Sequence, residues 1–175
     1  SYRGSQRTFS NNSGDLGRIS YMGGRQYLDN YGDGTLNGAW NSFYSNNQPN
    51  LLALEQISEA NPDRDLSYHL GVAKTLQAHT LMQLVDYLGD IPWSEANNSA
   101  EFPKPSVDDD ASVYDAAIAY LSEAAGHFAS GAGIGTGTDF FYDGDAGKWS
   151  KLVKTLQMRA NLTVGNYAAV ASATG

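Results

Sequence analysis

The sequence predicts an all-α fold in which helical hairpins are joined by long irregular loops. Apolar residues recur near helical spacing in four stretches after residue 36. Between these stretches lie segments rich in Gly, Pro, Asn and Asp, which end helices and form turns. Hydrophobic residues make up 41% of the chain and charged residues 17%, a balance typical of a globular domain.

The first 35 residues are rich in Gly, Ser, Asn and Tyr and show no sustained helical or strand period. This composition predicts an ordered but irregular segment. A flexible linker would not need the aromatic residues that the segment carries, so we expect it to pack on the helices. We therefore predict an irregular segment over residues 1–35 and a helical repeat domain over residues 36–175.

The first two helices follow this segment. One begins at Asn37 and ends at the sequence EANPDRD, and Pro49 can kink or divide it. The other runs from about Asp65 to Leu88 with its apolar residues along one stripe, and would extend roughly 36 Å at about 1.5 Å per residue.

A Gly-Asp-Ile-Pro-Trp sequence ends the second helix. Gly89 can adopt a positive φ, Asp90 can accept hydrogen bonds from nearby amides, and Pro92 prevents re-entry into a helix. Trp93 offers a large apolar face that can fold the departing loop back onto the helices. We predict that this turn is a structural stop and not a binding site.

The third and fourth helices follow long connections. The third runs from about Ser112 to Ala129, and the acidic run before it suits the positive end of its dipole. A glycine-rich stretch interrupts regular structure, and the fourth helix then runs from about Ala146 to Ala169 with Asp145 as its N-cap.

Four helices in two pairs are typical of a tetratricopeptide-like array of helical hairpins. Two pairs alone would leave a terminal apolar face exposed. We expect either that residues 1–35 cover this face or that the chain is part of a longer protein.

Composition and charge exclude several kinds of partner. The formal charge of -8 and the pI near 4.6 count against nucleic acid, which needs clustered Lys and Arg. The chain has no Cys, which excludes disulfides, thiolate metal sites and Cys nucleophiles within it. Its neutral polar residues suit uncharged polar ligands such as sugars.

Metal and catalytic sites find little support. The histidines form no HExxH motif and no close pair: His69, His79 and His127. Three acids flank the Gly-Asp-Ile-Pro-Trp turn, but nothing sets two of them across a cleft: Asp86, Asp90 and Glu95. No G-x-S-x-G or P-loop motif is present. We therefore predict no enzymatic activity and no cofactor.

Asp139, Asp143 and Asp145 are candidates for a calcium site, because hard cations take several carboxylate oxygens from a turning loop. They lack the spacing and the distal Glu of an EF-hand. Helix capping and loop hydrogen bonds are the alternative explanation.

Three motifs stand out along the chain: LMQLVDYLGDIPWSEA, the helix VYDAAIAYLSEAAGHF after Pro105, and DFFYDGDAGKWSKLVKTLQMRANL. In their order and spacing they resemble the motifs of the SusD/RagB family of outer-membrane nutrient-binding lipoproteins. The resemblance covers roughly Asn37 to Leu162. The chain departs from the family at Gln77-Ala78, where members often have Arg before Ala, and it is considerably shorter.

This resemblance implies a SusD-like all-α fold and a surface-exposed lipoprotein of the cell outer membrane. It implies capture of a nutrient, most often a glycan, and delivery to a SusC-type TonB-dependent transporter, with the membrane contacted only through a lipid anchor upstream of this chain. A peptide-binding SusD-like protein and a protein-interaction scaffold without a small ligand remain alternatives. The shorter length implies that the chain is a fragment.

The best candidate ligand segment is RISYMGGRQYLDNYGDG, because aromatic faces stack on sugars while amide, carboxylate and guanidinium groups pair with hydroxyls. In characterised relatives, loops of this region contribute to the glycan-contacting face. An alternative is that the tyrosines only attach the segment to the helices. The candidate ligand residues are Arg18, Tyr21, Arg25, Tyr27, Asn30, Tyr31 and Asp33.

Overall fold

The computed structural model describes residues 2–19, 32, 34–129, 131, 133–134 and 137–173. Over these residues the chain is all-α, with one isolated antiparallel bridge between Ile91 and Asp108 and no strand. The predicted fold class is confirmed. The helices are α1 (Tyr2–Leu16), α2 (Asn37–Ser42), α3 (Gln48–Ala60), α4 (Ser67–Leu88), α5 (Asp110–His127), α6 (Ala146–Thr163) and α7 (Tyr167–Ala173).

Helix α1 contradicts the irregular segment predicted for residues 1–35, because Tyr2–Leu16 are helical. Its buried residues are Ser5, Phe9 and Asp15, so only one of them is apolar. A helical face built this way leaves almost no hydrophobic period in the sequence. The division between residues 1–35 and 36–175 stays a prediction.

The helix predicted from Asn37 is confirmed, and it is divided near Pro49 as the sequence indicates. A π-helical turn, Phe43–Asn47, joins α2 to α3 and places Phe43 in the core with 0% exposure. Pro49 follows in the first turn of α3, directly after the π-helical turn.

Helix α4 is the centre of the molecule and packs along α5, with α1, α3 and α6 around it. Gly71 lets α4 pack closely against the C-terminal end of α5, since a Cβ there would lie 2.7 Å from Cζ of Phe128, the residue after that helix. Lys74 is 6% exposed and joins α4 to both neighbours, with Nζ 2.5 Å from Glu55 of α3 and 2.6 Å from Glu123 of α5.

The fourth predicted helix begins as expected and ends early. The Asp145 side chain caps α6 by accepting a hydrogen bond from the amide of Lys148 at 3.0 Å. The prediction of one helix to Ala169 is wrong, because Gly165 has a φ of +75° and separates α6 from α7.

Within the described residues, no helix combines the length and the hydrophobicity needed to cross a membrane.

Candidate functional site

The Gly-Asp-Ile-Pro-Trp turn ends α4 through its own backbone geometry. Gly89 has a φ of +72° and a ψ of −129°, a conformation open in practice only to glycine, and its amide donates to the carbonyl of Val85 at 2.8 Å. Asp90 Oδ1 accepts from the amide of Asp110 at 3.0 Å, and Ile91 is 1% exposed. The polar and apolar groups of this turn thus serve the fold, as predicted.

Asp108 fixes the loop that leaves this turn. Its Oδ2 accepts from the amides of Trp93 at 2.7 Å and Ser94 at 3.0 Å, and its Oδ1 accepts from the Ser94 hydroxyl at 2.6 Å. Burial alone would raise the pKa of Asp108, but these hydrogen bonds outweigh it and lower the pKa below its usual value. Trp93 consequently lies edge-on to Tyr120, with ring centroids 5.8 Å apart.

Asp139 fixes a second turn, Asp139–Tyr142, which we name the aromatic turn. Its Oδ2 accepts from Tyr68 Oη at 2.8 Å and from Trp149 Nε1 at 2.7 Å. Its carboxylate also accepts from the amides of Phe141 at 2.8 Å and Tyr142 at 3.2 Å. Burial acts to raise the pKa of Asp139, yet the four hydrogen bonds lower it overall.

The three calcium candidates use their oxygen atoms in this way instead of converging. Asp139 holds the aromatic turn, Asp143 accepts from the amide of Gly137 at 2.5 Å, and Asp145 caps α6. No three potential metal-ligating side chains come together in the part of the chain that the structure describes.

The aromatic turn presents two phenyl rings to the surface. Phe140 is fully exposed at 100%, and Phe141 is 49% exposed. Phe141 packs edge-on against Trp149, with ring centroids 5.7 Å apart, and against Tyr2 of α1 at 5.9 Å.

These rings form one wall of an open groove whose other walls are α3 and α4. We name it the α3–α4 groove. The part beside the aromatic turn has a volume of about 400 Å³. Its aliphatic residues are Leu54, Val72, Ala73, Leu76 and Ile134, and its polar or titratable residues are Tyr68, His69, Thr138 and Asp139.

A second part of the groove, of about 220 Å³, continues along α4 and shares Leu54, Ala73 and Leu76 with the first. Side-chain amides line this part. They belong to Asn47, Asn50 and Gln77. Gln77 is 2% exposed, and its Nε2 donates no hydrogen bond within the structure.

The sequence did not single out the groove. Phe140 lies in the third family motif and Gln77 lies at a departure from the family pattern, but the two are far apart in sequence, and an exposed phenylalanine has the same sequence signature as a buried one. The nearest signal is the DFFYDGD stretch, which the sequence presents as part of a family motif and as a calcium candidate.

Most of the predicted ligand segment lies outside the described residues. Of its candidates the structure describes Arg18, which is exposed and has a φ of +55° after the end of α1. The others, Tyr21, Arg25, Tyr27, Asn30, Tyr31 and Asp33, lie outside the described residues. The ligand segment therefore stays a prediction.

The fold and its turns define an all-α protein of helical hairpins in which a long central helix ends at a Gly-Asp-Ile-Pro-Trp stop. A family model described as "Starch-binding associating with outer membrane" matches residues 11–174. The chain belongs to this SusD-like family. The resemblance drawn from the three motifs is confirmed.

Solved structures of this family share the fold. A SusD/RagB family protein from Bacteroides thetaiotaomicron VPI-5482 matches with a TM-score of 0.68 and 26% identity, over 79% of this chain and 30% of that one. A SusD-like protein from the same organism matches with a TM-score of 0.64 and 20% identity, over 88% of this chain and 33% of that one. A SusD homologue from Bacteroides fragilis NCTC 9343 matches with a TM-score of 0.55 and 19% identity, over 68% of this chain and 24% of that one.

The chain thus spans about a quarter to a third of the length of these solved relatives. No curated protein matches it at a significant level.

Proposed function

We propose that the chain is the helical part of a SusD-like protein that binds an extracellular glycan and passes it to a SusC-type TonB-dependent transporter. The observation that carries this proposal is the family match over residues 11–174, whose description joins starch binding to the outer membrane. A nutrient-binding role is the family-level function, and the glycan and the transporter are our extension of it.

The chemistry of the chain suits such a role. A sugar offers apolar C–H faces and many hydroxyl groups, so its binding site needs aromatic rings beside neutral donors and acceptors. Both occur along the α3–α4 groove and in the predicted segment of residues 18–34. Binding followed by release to the transporter requires no covalent step, so we propose no catalytic residue.

The same proposal places the protein at the outer face of the outer membrane as a lipoprotein. The lipid anchor would lie on a Cys upstream of this chain. As the resemblance implies, the helical repeats would make much of the contact with the transporter, and the opposite, irregular face would meet ligand.

A ligand screen of the full-length protein tests this function. We expect retention in native gels that contain starch or another neutral polysaccharide, and a saturable heat of binding in calorimetry. A library of oligopeptides serves as the comparison. If the protein binds peptides but not glycans, the ligand is a peptide and the glycan is ruled out. If it binds neither, an interaction scaffold is the better explanation.

A further inference from the structure

We propose that the α3–α4 groove is a binding site for a neutral sugar chain, with Phe140 as its stacking platform and the Gln77 amide as a hydrogen-bond donor. This inference rests on the proposed glycan-binding function. It adds a site within the helical part of the chain, separate from the tyrosine-rich segment that the sequence indicates.

The presentation of Phe140 is the first observation. A phenyl ring that is 100% exposed leaves its whole apolar surface in water, which is unfavourable until something covers it. The turn that carries the ring is fixed by the four hydrogen bonds to Asp139. Because the turn is already ordered, little conformational entropy is lost when a ligand ring stacks on Phe140.

Gln77 is the second and independent observation. Its side chain lines the amide-rich part of the groove and is 2% exposed, while its Nε2 has no acceptor. A buried donor without a partner is costly, so a group that supplies an acceptor there gains binding free energy. A sugar hydroxyl is such a group, and the amides of Asn47 and Asn50 can donate to and accept from its neighbours.

The charges around the groove favour a neutral ligand. The phenols of Tyr2 and Tyr68 already bond to His79 and Asp139, and the Asp139 carboxylate accepts four hydrogen bonds. Apart from these three groups, His69 is the titratable side chain among the described residues that line the groove. A site for an acidic or a basic ligand would need a cluster of opposite charge.

The length of the groove favours more than one ring. Both His69 and Gln77 belong to the lining, and eight residues of α4 separate them. This is a rise of about 12 Å at about 1.5 Å per residue. A chain of sugar units can therefore stack at the aromatic turn and bond to the amides at the same time.

The test uses the full-length protein in native gels containing starch, xylan, mannan or dextran, followed by calorimetry with the polysaccharide that retains it. Phe140→Ala should bind about 5- to 150-fold more weakly, the range expected when one aromatic stacking contact is lost. Phe140→Trp should restore binding. Gln77→Met, which keeps the side-chain length and removes the amide, should also weaken binding by about 5-fold or more.

The matched control is Tyr167→Ala, which removes another exposed aromatic ring, 67% exposed, from α7 away from the groove. It should bind as the unaltered protein does, and circular dichroism melts should show that all four variants fold.

Retention of the unaltered protein together with full retention of Phe140→Ala and Gln77→Met would overturn this inference and leave the proposed function standing. If the unaltered protein is retained in none of the gels, the proposed function and this site fail together.

Discussion

Single carboxylates hold the irregular parts of this chain in place. Asp108 and Asp139 each accept hydrogen bonds from two backbone amides. Asp108 also accepts from one side-chain donor and Asp139 from two. Such charge-assisted bonds are stronger than neutral ones and fix a loop without regular structure. The acidic residues near the three family motifs are therefore mainly scaffold, and the surface that they support is aromatic.

At the residue scale, the contact between α1 and α4 depends on pH through the protonation of His79. Its Nδ1 lies 2.8 Å from the Tyr2 hydroxyl in a hydrogen bond. Burial, together with the nearby Arg159, lowers the pKa of His79 to about 4. Between this value and the ordinary histidine pKa of about 6.5, the unfolded chain binds a proton that the folded chain does not.

We therefore predict that the free energy of unfolding falls as pH falls from about 6.5 to about 4, with up to about 3 kcal/mol of that loss due to His79. His79→Gln should show a shallower slope in this window, measured by urea denaturation at closely spaced pH values. His69→Gln, which removes an exposed histidine from the same helix, is the matched control. Equal slopes in all three proteins would contradict the prediction.

At the scale of elements, the contact between α4 and α5 depends on the absence of a side chain. Phe128 is 3% exposed and its ring stacks on Trp149, with centroids 6.2 Å apart, so it has little room to move when Gly71 gains a Cβ. Glycine costs some helix stability at this position, and close helix packing offsets that cost.

Gly71→Ala should thus destabilise the protein by about 1–3 kcal/mol through overpacking. The comparison is Gly126→Ala on α5, where a Cβ would meet nothing within 4 Å. That variant should gain up to about 1 kcal/mol, because alanine is the better helix former. Urea denaturation gives the free energy of unfolding of both variants and of the unaltered protein. A Gly71→Ala variant more stable than the unaltered protein would contradict the prediction and show that the Phe128 ring moves to make room.

Helix α1 shows why an element can escape the sequence pattern. Besides the stacking of Phe9 on Tyr87, its docking on α4 includes the Gln6 to Gln83 hydrogen bond and the hydrogen bond from the Tyr87 hydroxyl to the carbonyl of Phe9. In a sequence, polar side chains of this kind give no hydrophobic period and therefore indicate a loop. Their helical role becomes visible only when α4 is present to receive them.

At the scale of the whole molecule, the ligand face is predicted in two places, the α3–α4 groove and the tyrosine-rich segment. For the segment we predict that Tyr21→Ala, Tyr27→Ala or Tyr31→Ala in the full-length protein weakens glycan binding by about 1–3 kcal/mol at one position or more, as base stacking on aromatic rings suggests. Calorimetry gives the affinity and a thermal melt gives the stability. Lower stability with unchanged affinity in all three would show that the tyrosines only attach the segment to the helices.

The sequence by itself determined the helical class, the stop after Leu88, the Asp145 cap and the family. These features depend on local periodicity, on glycine and proline geometry and on short motifs, all of which act within a few residues. Tertiary structure alone decided that Tyr2–Leu16 are helical, that the Asp139 carboxylate holds the aromatic turn, and that Phe140 and Gln77 line one groove. The physical reason is that burial, hydrogen-bond partners and cavities arise between residues distant in sequence, and no local pattern encodes them.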